Sequence, residues 1–174
     1  MANEELMKIY PSLDIEVITL ENENRKYYNL GVTCFEDILE DNIFYGATLS
    51  NPQFRKRYEE VVNIYKPFFE YFQCNYHTYY THECYASDNP ETIPRFEKTK
   101  SFDQLWEICK LGFQEAHDVT ILVPSLRTII RIGFDLQVVF YWIKNEKLND
   151  EISKQISLLE KQGATYEPIF DITS

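Results

Sequence analysis

Leu126-Arg127-Thr128-Ile129-Ile130-Arg131-Ile132-Gly133-Phe134-Asp135-Leu136-Gln137-Val138-Val139-Phe140-Tyr141-Trp142-Ile143 holds two β-prone runs around a glycine-led turn. In the first run Leu126, Thr128, Ile130 and Ile132 alternate with Arg127, Ile129 and Arg131. That is the two-residue period of a strand whose successive side chains point to opposite faces. Leu136 to Ile143 is rich in valine and aromatic residues, which suit a pleated surface. Two such runs joined by Gly133-Phe134-Asp135 read as an antiparallel hairpin.

Further strands extend this pairing outward. Val119 to Val123 is short and apolar apart from Thr120, which suits a central strand. Asn75 to Ala86 is rich in tyrosine and threonine and reads as another strand. Asp14 to Leu20 and Lys26 to Thr33 read as a second hairpin around Glu21-Asn22-Glu23-Asn24. Ser87 to Lys100, with Asp88-Asn89-Pro90 and Ile93-Pro94, reads as a loop.

Three helices complete the pattern. Asn51 to Gln73 places Phe54, Tyr58, Val61, Val62, Tyr65, Phe68, Phe69 and Phe72 on one buried stripe. Ser50 or Asn51 can cap this helix and Pro52 suits its first position. Pro67 lacks a backbone donor, so a kink or break is expected there. Phe102 to about His117 forms the second helix, opened by the capping pair Ser101 and Gln104 and carrying Leu105, Ile108, Cys109, Gly112, Phe113 and Ala116 inward. Asp150 to Gln162 forms the third, capped by Asn149 and ended by Gly163. The sum is an α+β fold: one domain over residues 1–174, an antiparallel β-sheet with about three α-helices packed on one face.

Length and composition agree with that reading. A chain of 174 residues that is 44% hydrophobic can bury a full core without crosslinks. Cys34, Cys74, Cys84 and Cys109 are therefore expected as free thiols in a reducing cytoplasm. No run reaches the roughly 18 apolar residues of a membrane span, and the acidic start lacks the order of a signal peptide.

Few groupings offer chemistry. Cys74-Asn75-Tyr76-His77-Thr78-Tyr79-Tyr80-Thr81-His82-Glu83-Cys84 brings thiols and imidazoles, the atoms zinc prefers, into one segment. On a strand His82 and Cys84 share a face and His77 takes the other, so a complete ligand set needs a bend or a partner strand. A small zinc-binding domain or metal-dependent enzyme using this segment is thus an alternative, while the leading reading assigns neither metal nor cofactor. Cys109 falls on an apolar helix stripe and Cys34 beside acids, settings that oppose a reactive thiolate. Serine lies in no Gly-x-Ser-x-Gly turn, and the five glycines form no phosphate cradle. The expectation is a protein without catalytic residues. Arg55-Lys56-Arg57 with Lys66 is too small a basic cluster for the many phosphate contacts that hold nucleic acid.

Charge is the strongest functional signal. The net charge is −11, and the first fifty residues hold ten acids against three bases. A field of that sign repels nucleic acid and anionic membrane and favours a cationic partner. Phe35-Glu36-Asp37-Ile38-Leu39-Glu40-Asp41-Asn42-Ile43-Phe44-Tyr45 sets four carboxylates among aromatics, the residue types that meet a Lys- and Arg-rich surface. The expected contact residues are Glu36, Asp37, Glu40, Asp41 and Tyr45, with Glu21 and Glu23 as rim charges. An inhibitor that covers the cationic cleft of a nuclease-type toxin needs these features and no catalytic group. The expectation is therefore a cytoplasmic immunity protein or antitoxin with a basic protein partner such as a secreted toxin domain. A structural or adaptor subunit of a homo-oligomer is the remaining alternative.

Overall fold

The computed structural model describes residues 3–10, 27–33, 52–84, 95–114, 117–132, 136–143 and 146–167. In chain order these form α1 (Asn3–Ile9), β1 (Tyr27–Thr33), α2 (Pro52–Asn75), β2 (Tyr79–Cys84), β3 (Glu97–Lys98), α3 (Phe102–Phe113), β4 (His117–Val123), β5 (Thr128–Ile132), β6 (Val138–Ile143), α4 (Asp150–Glu160) and β7 (Thr165–Glu167). The strands make one seven-stranded sheet in the order β3-β2-β4-β5-β6-β1-β7. Every pairing in it is antiparallel. The architecture is α+β, as the strand and helix periods predict. No helix among the described residues is long and apolar enough to cross a membrane.

The hairpin that decides the fold is present, with shorter strands than the alternation suggests. Ile132 faces Val138 and Thr128 faces Trp142 across the β5–β6 ladder. Leu126 belongs instead to a short 3-10 turn, Pro124–Leu126. Arg127, at φ 51°, and Leu136, at φ 57°, take the left-handed backbone that ends regular pairing at either side. A buried leucine in that region costs about 1–2 kcal/mol, and its burial offsets the cost. β4 is an interior strand, flanked by β2 and β5. β1 follows the Lys26 to Thr33 expectation and pairs with β6 and β7. Its expected partner Asp14 to Leu20 lies outside the described residues, as do Cys34 and the first cap of α2.

Alternation divides the sheet into two faces. Val119, Ile121, Ile130, Ile132, Val138 and Phe140 point to one face and pack under α2, α3 and α4. Leu122, Ile129, Val139 and Tyr141 point to the other, where Leu6 of α1 and Tyr10 just beyond it are added. The expectation of helices on one face thus holds for three of them, and α1 covers the opposite side. Tyr10 donates from its hydroxyl to the Thr128 carbonyl at 3.1 Å. Burial drives the Tyr10 phenol well above its usual range, so it stays a neutral donor there.

α2 supplies most of the first core. From Tyr58 onward its stripe, Tyr58, Val61, Val62, Tyr65, Phe68, Phe69 and Phe72, is buried throughout, and the Phe54 side chain lies outside what is described. The Phe69 ring sits edge-on to Phe68 at 5.1 Å and to Phe113 of α3 at 6.3 Å. Phe68 meets Phe140 of β6 at 5.4 Å, which ties helix to sheet. The expected break at Pro67 does not occur: α2 runs from Pro52 to Asn75 without interruption. Pro67 and Asn63 lie on the exposed side, where solvent can serve the carbonyl deprived of its donor.

α3 begins as its capping pair predicts, with the Gln104 amide donating to Ser101 Oγ at 3.2 Å. The return bond is displaced by one residue, since Gln104 Oε1 accepts from the Lys100 amide at 2.8 Å. The helix stops at Phe113 and not near His117, because His117 opens β4. The loop reading of Ser87 to Lys100 is also corrected, since Glu97 and Lys98 pair with Tyr80 and Tyr79 as β3. Gly112 faces the sheet at close range. A Cβ there would sit 2.9 Å from Ile132 Cβ and Cγ2 and 3.1 Å from Val119 Cγ2. Gly112→Ala is therefore expected to lower stability by about 1–2 kcal/mol, because overpacking outweighs the roughly 1 kcal/mol gain in helix propensity. A denaturation midpoint above that of the parent chain would show that α3 can back away from the sheet.

α4 starts at the Asn149 cap, whose Oδ1 accepts from the Glu151 amide at 2.9 Å, and ends before Gly163 at φ 96°. It is joined to α2 by the Tyr71 hydroxyl, which donates to Glu151 Oε1 at 2.7 Å. Gln155 Nε2 donates to the same oxygen at 3.0 Å. The Tyr71 bond and then the Gln155 bond hold the Glu151 carboxyl below its ordinary range, and the Glu151 bond holds the Tyr71 phenol above its own. Stabilisation by a lowered carboxyl is present above about pH 4.3 and lost as pH falls further. Stabilisation by a raised phenol is present below about pH 10 and lost as pH rises through the folded value. Tyr71→Phe should flatten both flanks of the curve of urea midpoint against pH. Retention of the parent's acid flank would remove this bond from the account.

Candidate functional site

The residues expected to meet a partner, Glu21, Glu23, Glu36, Asp37, Glu40, Asp41 and Tyr45, all lie outside the described residues. What the structure does place is a set of other charges, many of them engaged locally. Lys110 reaches Glu107 at 2.6 Å within α3, and Lys147 reaches Asp150 at 2.5 Å at the start of α4. Lys154 lies 3.7 Å from Glu151, and Arg127 bridges to Glu146 at 3.0 Å. Lys56 stands 4.0 Å from Glu60 one turn along α2. These are exposed pairs that add little to stability, but they balance charge where it arises. Residues 51–174 hold eighteen acids against fourteen bases, whereas the first fifty residues run ten against three.

The segment from Cys74 to Cys84 divides between two kinds of structure. Cys74 and Asn75 end α2 and the strand begins only at Tyr79, so the expected strand from Asn75 is shorter at its start. The helical stripe of α2 continues through Phe72 and carries the chain past the start set by the tyrosine-rich pattern. Cys74 is exposed at the helix end, and His77 is exposed between helix and strand. Neither joins His82. Cys84 stands opposite His117 in the β2–β4 register, and His82 stands opposite Val119.

That register brings His117 diagonally beside His82 on the face that carries Val119 and Tyr80. Their Nδ1 atoms are 3.4 Å apart and their ring centroids 5.2 Å apart. His82 is exposed and His117 half-buried. The Tyr80 ring lies nearly parallel to His82, at 5.9 Å and 10°. Tyr80 is itself fixed at its hydroxyl, which accepts from Gln104 Nε2 at 3.0 Å and donates to Glu97 Oε2 at 3.3 Å. Burial and the Glu97 charge raise its phenol, so it remains neutral over the whole physiological range. The sequence offers His117 and His82 only as separate partners for a thiol, with His117 at a helix end, and does not place the two together. A signal was present, since His82 and His117 both border runs with strand periodicity, but it requires knowing which strands are neighbours.

Among the described residues no group of three or more His, Cys, Asp or Glu gathers as a metal-binding set. Cys109 carries a free thiol within the α3 core, and full burial pushes that thiol well above its ordinary value. A thiol so held is a small apolar core group and not a nucleophile. Comparison with protein-family models, with curated proteins and with solved structures gives no significant match to this chain.

Proposed function

We infer that this chain is a non-enzymatic binding protein that neutralises a cationic protein, in the manner of an immunity protein or antitoxin covering the active site of a nuclease-type toxin. The carrying observation is the concentration of ten acids against three bases in the first fifty residues. Local ion pairs along α2 and α3 and at the start of α4 support the same reading, because part of the remaining charge is answered by near neighbours in the chain. Glu36, Asp37, Glu40 and Asp41 would supply the attraction, Tyr45 an aromatic anchor, and Glu21 and Glu23 rim charges that steer approach. The folded sheet would act as the rigid support that keeps the cost of ordering low on binding.

The test is capture by the immobilised full chain from a lysate of its source. The expected result is retention of a basic polypeptide in one-to-one ratio, released by salt, with its activity suppressed in the complex. Retention only of neutral or acidic proteins, or release indifferent to salt, would overturn the assignment.

A further inference from the structure

We propose that His82 and His117 together bind a divalent metal ion of the imidazole-preferring class, zinc in particular. The argument is one of distance. Zinc holds imidazole nitrogen at about 2.0–2.1 Å in tetrahedral geometry, which sets two such nitrogens about 3.3 Å apart. His82 Nδ1 and His117 Nδ1 stand 3.4 Å apart. The bite of a zinc site is thus present. Without an ion the same two atoms stand within hydrogen-bonding reach, one imidazole donating to the other, and a bound ion would take the place of that shared proton.

The two rings are held by separate strands of one ladder, so their spacing is fixed by backbone pairing. Parallel packing on Tyr80 restrains His82, and Gln104 and Glu97 anchor Tyr80 in turn. Exposure of His82 leaves an approach for the ion and room for solvent or an outside ligand at the remaining positions. His77 takes no part, since it precedes β2. The partner strand that a ligand set on this segment requires is β4, which supplies half of the site.

Binding is symmetric in its demand on the two histidines, and this makes the test sharp. Zinc chloride is titrated calorimetrically into the full chain in a weakly coordinating buffer, alongside His82→Ala, His117→Ala and His77→Ala. One ion per chain is expected, with affinity at least about tenfold weaker in each of the first two variants and unchanged in the third. Equal affinity in all four proteins, or a loss confined to His77→Ala, would overturn the site. If an alanine variant unfolds, the ring-nitrogen resonances of the parent chain decide. Zinc should shift the Nδ1 signals of both His82 and His117, and zinc that leaves either unmoved contradicts the proposal.

Discussion

Replacing Phe69 with alanine is expected to cost about 3–5 kcal/mol of folding stability. The ring is fully buried and contacts three aromatic neighbours: Phe68 on its own helix, and Trp106 and Phe113 on α3. Its removal takes the transfer energy of a whole side chain and leaves a cavity at the α2–α3 junction. The surrounding rings are held on two helices and the sheet, so they cannot close that space. Domains of this size carry only about 5–15 kcal/mol in total, so the variant should melt far earlier or fail to accumulate. Leu158→Ala is the matching control, because Leu158 is 42% exposed on α4 and its loss should change stability by under about 0.5 kcal/mol. A Phe69→Ala chain that unfolds within about 1 kcal/mol of the parent would mean that the aromatic stripe of α2 is not the centre of the core.

The second large effect concerns binding. Asp37→Lys with Glu40→Lys should weaken the complex with the cationic partner by at least about a hundredfold, near 3 kcal/mol at roughly 1.4 kcal/mol per tenfold. Close interfacial charge pairs are coupled by about 1.5–7 kcal/mol, and reversal puts repulsion in place of attraction. The informative control makes the same change in net charge elsewhere. Glu59 and Glu60 are exposed on α2, and their joint conversion to lysine should alter affinity by only a few-fold through the long-range field. Equal losses in the two double variants would show that overall charge, and not the segment from Glu36 to Asp41, governs the partner.

The parts of the fold visible in the sequence are those where one period repeats long enough to be distinguished. The buried stripe of α2 extends over several turns, and the β5–β6 hairpin carries two strands beside a glycine turn. α1 spans seven residues, less than two full turns, and Leu6 within it and Tyr10 just past its end are too few inward positions to make a recurring pattern. β3 has two residues and β7 three; such strands are created by the ladder they join and not by their own composition. The break allowed for at Pro67 is absent because aromatic packing on either side outweighs the proline's intrinsic cost. The His82–His117 pair was half legible. His82 stood out within its segment, but its neighbour is 35 positions away and is brought beside it only by the β2–β4 register. The acidic segment was legible as charge, and charge counts do not say where side chains point.

The central claim is that the carboxylates of the first fifty residues recruit a cationic protein. Its most direct test is the dissociation constant of the captured complex measured from about 50 mM to about 500 mM salt, for the parent chain and for a variant carrying Glu36→Gln, Asp37→Asn, Glu40→Gln and Asp41→Asn. Affinity of the parent should fall steeply over that range, while the neutralised variant should bind more weakly at low salt and respond much less to added salt. Parallel salt curves of equal affinity for the two proteins would contradict the claim.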